Sequence, residues 1–454
     1  MSKEPKCGKY KAYTLGNFKE IEQLKKMPKE VIEAIEVVGN VLPFKTNNYV
    51  VNELINWEDE KDPLFVLNFP QRDMLKPHHY SEMEKVLKEG DRKKIKETAN
   101  KIRMELNPHP AGQLEMNVPR LKSGQPLNGM QHKYDQTALF FASQGQTCHA
   151  YCTFCFRWAQ FVGIDDLKFA MKEASSLNQY LKEHPEITDV LFTGGDPMIM
   201  RARIFKPYIE AVIDPELSHI TNIRIGSKAL AYWPYKFLTD PDYEETLDLF
   251  KAVLDSGRHL TIMAHFNHPN ELKTEAVHEA IYILRQLGLE IRTQSPLLKH
   301  INALPEVWSV MWNKQVQLGC VPYYMFVARD TGAQHYFAVP LVKAWEIYRD
   351  AVQEVSGLGR TVRGPSMSAY PGKVEVLGVA EIKGEKVIVL RFLQGRNKKW
   401  THTPFFAQYD EKAIWLDDLK PAFGEKKFFY EDELAEMKKR KLKLFQEAQQ
   451  AAQA

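Results

Sequence analysis

GQTCHAYCTFCFRWAQFVG, residues 145–163, holds three of the chain's five cysteines, spaced Cys148-x3-Cys152-x2-Cys155. Five aromatic residues (Tyr151, Phe154, Phe156, Trp158 and Phe161) are interleaved with them. The stretch follows TALFFA (137–142), the first of six short apolar runs. The others are DVLFTG (189–194), NIRIGS (222–227), LTIMAHF (260–266), LEIRTQS (289–295) and CVPYYMF (320–326). Helix-patterned stretches such as YEETLDLFKAVLDSG and TEAVHEAIYILRQLG separate them. Six β-then-α units in succession predict a parallel sheet with right-handed crossovers. Six is two short of a closed eight-unit barrel, so the expected fold is α/β with a partial, open (β/α)6 barrel.

The flanks read differently. Residues 1–130 form an expected helical N-terminal region, with charged amphipathic stretches at Lys29–Val38 and His79–Leu106. PRLKSGQPLNGM (119–130) has the Pro, Gly and Ser content of an extended linker. The barrel is expected over 131–356. Residues 357–454 are a small α+β C-terminal extension: a loop, RTVRGPSMSAYPGK, then a strand pair turning at KGEK, then a charged helix. That helix reads as a solvated surface or an oligomer contact.

Composition narrows the function classes. Basic residues number 61 and acidic residues 58, a net charge of +3, which argues against nucleic acid as the main partner. No apolar run approaches the roughly 18 residues of a membrane helix. The start, MSKEPKCGKYKAYTL, lacks the apolar core of a signal peptide. An odd cysteine count without an export signal does not suggest a disulfide framework, and a reducing, cytoplasmic location is expected.

In parallel α/β sheets the loops beyond the carboxyl ends of the strands build the site. The cysteine motif follows the first strand, and Gly194-Gly195-Asp196-Pro197 ends the second. Ser227, His265, Gln294 and the segment Tyr323–Arg329 end the next four. All the unusual polar residues therefore fall on one face. Three thiolates on one loop suit three irons of a cubic four-iron cluster and leave the fourth iron open for chemistry. Zinc held by the three cysteines and His149, or a purely structural thiol cluster, are the alternatives. Zinc loops favour a second, distant cysteine pair, which this chain lacks.

The motif resembles that of radical S-adenosylmethionine (SAM) enzymes. HKYDQTALFF, CHAYCTFCFR, LFTGGDP, IRIGSK, AHFNHPNE, TQSPLLKHIN and VPYYMF together resemble, in order, the blocks of the lysine 2,3-aminomutase family. The resemblance covers roughly residues 130–375. It implies a 4Fe-4S cluster on Cys148, Cys152 and Cys155, with SAM on the open iron. Phe154 would lie near the SAM adenine, Gly194, Gly195 and Asp196 near its amino group, and Ser227, His265 and Gln294 in the same cofactor site. Arg157 would take the substrate α-carboxylate, as a guanidinium fork is suited to do. Lys373, in SAYPGK, would anchor pyridoxal 5'-phosphate (PLP), with Lys133 near its phosphate. Only Pro371-Gly372 precede Lys373, where the family has a longer glycine run.

The chain also departs from the family at its end and in its specificity residues. It has no cysteine after Cys320, so the structural zinc of the family's type member is not expected. Arg329 stands where the family places the first of two aspartates that hold the lysine ammonium. The implied activity is a PLP-dependent amino acid 2,3-aminomutase whose substrate is an acidic or other non-cationic amino acid rather than lysine. The alternatives are a true lysine 2,3-aminomutase and a radical SAM enzyme on this scaffold without PLP. Implied partners are the amino acid, a low-potential electron donor of flavodoxin or ferredoxin type, and further copies of the chain in a homo-oligomer, with neither nucleic acid nor membrane.

Overall fold

A computed structural model describes residues 6, 8–59 and 61–453 of the chain; Cys7 lies outside them. Two short strands, β1 (Ala12–Thr14) and β2 (Lys45–Asn47), pair as an antiparallel ribbon. Every later strand joins one open sheet. In chain order these are β3 (Met130–Tyr134), β4 (Thr137–Phe141), β5 (Asp189–Thr193), β6 (Asn222–Ser227), β7 (His259–His265) and β8 (Glu290–Leu297). β9 (Val321–Val327), β10 (Arg363–Ser368), β11 (Gly372–Ile382), β12 (Glu385–Gly395) and β13 (Pro404–Gln408) complete it. Their spatial order is their chain order. Strands β4 to β10 are parallel, and β3 and β11 to β13 add antiparallel edges.

The six expected apolar runs are β4 to β9, and a helix follows each before the next parallel strand. The crossovers carry Ala174–Glu183, Ala202–Val212, Tyr243–Asp255, Glu275–Leu287, Pro305–Gln317 and Leu341–Gln353. Each strand has two unlike faces, as the period of two dictates. Val190, Phe192, Ile223, Ile225, Leu260, Ile262 and Ile291 are buried in the core. Their neighbours Asp189, Asn222, Arg224, His259, Thr261, Glu290 and Arg292 line a cavity of about 390 Å³. NIRIGS and LEIRTQS alternate in sequence because only one of their faces packs against helices.

Two local readings change. His79–Leu106 is a pair of helices, Pro77–Glu89 and Arg92–Glu105. Gly90 ends the first at φ 74°, and the Asp91 carboxylate caps the second by accepting from Lys93 N (2.9 Å) and Lys94 N (3.3 Å). The expected loop RTVRGPSMSAYPGK contains β10, which pairs parallel with β9. Its Gly and Pro content signals a break, but the neighbouring strand supplies the ladder. The buried Glu375 carboxylate fixes the junction by accepting from Gly364 N (2.9 Å) and Arg391 Nε (2.7 Å).

The C-terminal strands bury a separate cluster that includes Val374, Ile388, Phe392, Trp400, Phe405 and Tyr430. Helix Glu431–Gln453 follows, and Lys441 Nζ donates to Met116 O (2.5 Å). Among the described residues no helix is long and apolar enough to cross a membrane.

Candidate active site

The cysteine loop is strapped from outside by the N-terminal region. Tyr151 N donates to Lys45 O (2.8 Å) and Thr153 N to Leu67 O (3.0 Å). Lys45 Nζ donates to Cys148 O (2.7 Å), Tyr10 Oη to His149 O (2.8 Å), and Asn47 Nδ2 to His149 O (3.1 Å). From the sheet side the loop is met by the Gly-Gly-Asp turn, where Gly195 N and Asp196 N donate to Gly145 O (3.1 Å each) and Asp196 N also donates to Thr147 O (2.8 Å).

That contact explains the glycines. A Cβ on Gly195 would lie 2.3 Å from Thr147 O, and one on Gly194, at φ 143°, 2.4 Å from Gln146 Nε2. Their missing side chains admit the cysteine loop itself to the end of β5. The Asp196 carboxylate is likewise used inside the protein. It accepts from Ser227 Oγ (3.0 Å), Lys228 N (2.8 Å) and Met198 N (2.9 Å), joining the ends of β5 and β6. Burial raises its pKa to about 6. Asp196 and Ser227 therefore act on each other.

Thirteen of the fourteen singled-out residues line one cavity of about 290 Å³: the three cysteines, Phe154, Gly194, Gly195, Asp196, Ser227, His265, Gln294, Arg157, Arg329 and Lys373. Lys133 lines the adjoining 390 Å³ cavity instead. The two cavities share Phe156, Arg157, Arg224, Tyr324, Arg329 and Lys373 in their walls, so the thiols and Lys373 face connected space. Burial pushes the Cys152 thiol up to about 12 and raises Cys148 and Cys155 as well. These thiols hold their protons at neutral pH unless a cation displaces them. Among the described residues the set of three ligand side chains whose atoms all lie within 4.8 Å is His78, His79 and Glu105. The three thiols are thus spread more widely than the edges of about 3.8 Å around one tetrahedral zinc.

His265 Nε2 accepts from Gln294 Nε2 (2.7 Å), and burial holds its pKa down at about 3. It is neutral at pH 7. Phe154 meets Phe337 edge-on at 6.3 Å, making an apolar wall beside the cysteines.

The charges at the back of the site do not balance. Asp189 pairs with Arg224, and Glu290 with Arg292 and His259. Four further basic side chains line the cavities: among the described residues Lys133, Arg157 and Lys373 have no carboxylate partner, while Arg329 has Asp330. Arg157 Nη1 donates to Gly194 O (2.8 Å), and its guanidinium lies over Phe141 (4.6 Å) and Phe156 (5.0 Å). Burial lowers its pKa to about 10. Arg329 lies over Phe156 from 5.2 Å, and its buried Nε has no hydrogen bond among the described residues. Asp330 is 3.6 Å away but does not line the cavities. Lys133 Nζ donates to Ala369 O (2.6 Å).

Lys373 Nζ sits 4.0 Å from the Tyr324 ring centroid, with neither hydrogen bond nor ion pair recorded among the described residues. Burial, reinforced by Arg224 and Arg363, pulls its pKa from 10.5 to about 7. The sequence reading missed the frame around these groups. Lys228 Nζ donates to Asn267 Oδ1 (2.8 Å) and Glu271 Oε1 (2.6 Å), while Asn267 Nδ2 donates to Ser295 Oγ (2.8 Å). This network ties together the ends of β6, β7 and β8. Its residues stood within IRIGSK, AHFNHPNE and TQSPLLKHIN, and only their burial reveals the pairing.

No family model matches the chain. It is 29% identical over 408 residues, 90% of this chain and 96% of the relative, to an Aquifex aeolicus (strain VF5) protein named "Putative L-lysine 2,3-aminomutase". It is 28% identical over 232 residues to the L-lysine 2,3-aminomutase of Clostridium subterminale, covering 51% of this chain and 52% of that one. Among solved structures it overlaps Streptococcus suis SuiB bound to precursor peptide SuiA at a TM-score of 0.34, with 12% identity, over 57% of this chain and 50% of that chain. An overlap that low carries no weight for the fold, which rests on the strands themselves. A three-thiol loop over the carboxyl ends of parallel strands, with these relatives, places the chain among radical SAM enzymes. Within that class its similarity is to proteins named L-lysine 2,3-aminomutase, at 29% and 28% identity.

Proposed function

We propose that the chain is an amino acid 2,3-aminomutase that uses a four-iron cluster, SAM and PLP, and acts on an amino acid with an acidic side chain. The observation that carries this reading is Lys373: a half-buried amine over the Tyr324 ring, with neither hydrogen bond nor ion pair among the described residues, facing the same space as three thiols and two arginines. In this reading β4 to β9 with their helices are a partial barrel over 131–356, extended by 1–130 and 357–454.

The residues fit the groups. Cys148, Cys152 and Cys155 would hold three irons of the cluster. The apolar wall of Phe154 and Phe337 and the neutral His265–Gln294 pair would line the SAM site. Lys373 would hold PLP through its amine, and Lys133 would lie near the phosphate. When bound, the cluster with SAM supplies a hydrogen-abstracting radical, and PLP supplies the π system through which nitrogen passes between adjacent carbons.

The protein's own part is placement. Arg157, pinned to Gly194 O and stacked on two rings, presents its remaining donors to a carboxylate at a fixed angle. Arg329 lies on the same Phe156 ring and suits a second carboxylate. Arg157 is a buried cation without a carboxylate partner among the described residues, which is costly, and a ligand carboxylate would offset that cost. A lysine ammonium placed beside Arg329 would add to it.

The test is turnover by anaerobically reconstituted protein with SAM, dithionite and PLP, offered glutamate, aspartate, alanine and lysine in competition. We expect an acidic substrate to win, and Arg329→Ala to weaken its use. Efficient lysine turnover that survives Arg329→Ala but is lost in Asp330→Ala would overturn the substrate assignment.

A further inference from the structure

Tyr232 stands outside every role described so far, yet its hydroxyl lies 3.4 Å from Cys152 Sγ. It ends a short helix, Ala229–Tyr232, that follows β6. Two contacts fix it. Asn47 Nδ2 donates to Tyr232 O (2.9 Å) and to His149 O (3.1 Å), tying this helix to the backbone of the cysteine loop. On the ring side, Lys228 Nζ lies 4.4 Å from the Tyr232 centroid and is itself held by Asn267 and Glu271. The ring is 1% exposed, so the hydroxyl is held beside the sulfur in a place that bulk water does not reach.

We infer that Tyr232 donates a hydrogen bond to the Cys152 sulfur and so sets the reduction potential of the cluster that this loop holds. The inference rests on reading Cys152 as a cluster ligand. A ligating sulfur carries no proton, whereas a phenol has one to give, which fixes the direction of the bond. A hydrogen bond to a ligating sulfur stabilises the more negative, reduced cluster and raises its potential. Tyr151 offers the internal contrast. It lies in the same loop, but its hydroxyl pairs with Thr147 Oγ1 (3.0 Å) rather than with a sulfur.

The experiment is a redox titration followed by electron paramagnetic resonance, without SAM, on reconstituted wild type, Tyr232→Phe and Tyr151→Phe, after iron and sulfide have been counted. Tyr232→Phe keeps the ring and its contact with Lys228. At the potential that half-reduces the wild-type cluster, its reduced-to-oxidised ratio should fall about three- to tenfold, tenfold being 59 mV for a one-electron couple. Tyr151→Phe should titrate with the wild type. A 3,5-difluorotyrosine placed at 232, a stronger donor, should move the potential upward. The inference is overturned if Tyr232→Phe titrates with the wild type, or if Tyr151→Phe shifts as far. A wild type that takes up no iron overturns the cluster reading itself, before any potential is measured.

Discussion

Lys373 allows the proposed chemistry to be tested before any turnover is measured. Its pKa is pulled from 10.5 to about 7, chiefly by burial. At pH 7 about half of such a lysine is the neutral amine, against about three in ten thousand of an ordinary one, a gain of about a thousandfold. Only the neutral amine attacks an aldehyde. Cofactor-free protein would be exposed briefly to PLP and cyanoborohydride over about pH 5 to 10, and the labelled lysine counted by peptide mass. Labelling at Lys373 should outrun that at surface lysines and rise through a midpoint near 7. Lys133 is the internal competitor, but its Nζ is engaged by Ala369 O. A midpoint near 10.5, or faster capture at Lys133, would refute the assignment.

The same shift has a stability consequence, with its sign set by linkage. The folded chain gives up a proton that the unfolded chain keeps, so stability from this group rises with pH between about 7 and 10.5. At pH 7 the cost is about 4 kcal/mol. Cofactor-free Lys373→Met should therefore melt above wild type at pH 7, the gap closing as pH approaches 10.5. Equal melting of the two proteins at neutral pH would show that the amine is not desolvated.

The remaining predictions concern the loop and the specificity residues. Replacing Cys148, Cys152 or Cys155 by Ala should lose the reconstituted cluster of about four irons, while Cys320→Ala, in the core, should keep it; stoichiometric zinc in the wild type would end the cluster reading. Gly195→Ala drives a Cβ to within 2.3 Å of Thr147 O, so it should lower iron uptake and cost about 2 kcal/mol or more in thermal unfolding; an unchanged iron content would show that the loop yields freely. Arg329→Ala should reduce kcat/KM for an acidic substrate about ten- to a hundredfold, with little effect on alanine measured side by side.

The sequence by itself determined the β/α alternation and the placing of the polar oddities at strand ends, because both follow from local periodicity and chain order. The meeting of Cys148, Cys152 and Cys155 at one cavity was legible for the same reason: they share one short, contiguous loop. The partners of these residues were not legible, because they are non-local. Nothing in GGDP says that its glycines admit Thr147 or that Asp196 is taken by Ser227 and Lys228. The Gly and Pro content of RTVRGPSMSAYPGK signals a loop, whereas β9 turns part of it into a strand. Lysine after Pro-Gly reads as a turn residue; burial against Tyr324 makes it an amine poised near neutrality. Local pattern fixes which face of each strand is polar, but pKa and pairing depend on what the rest of the chain packs against that face, and only the tertiary structure decides that.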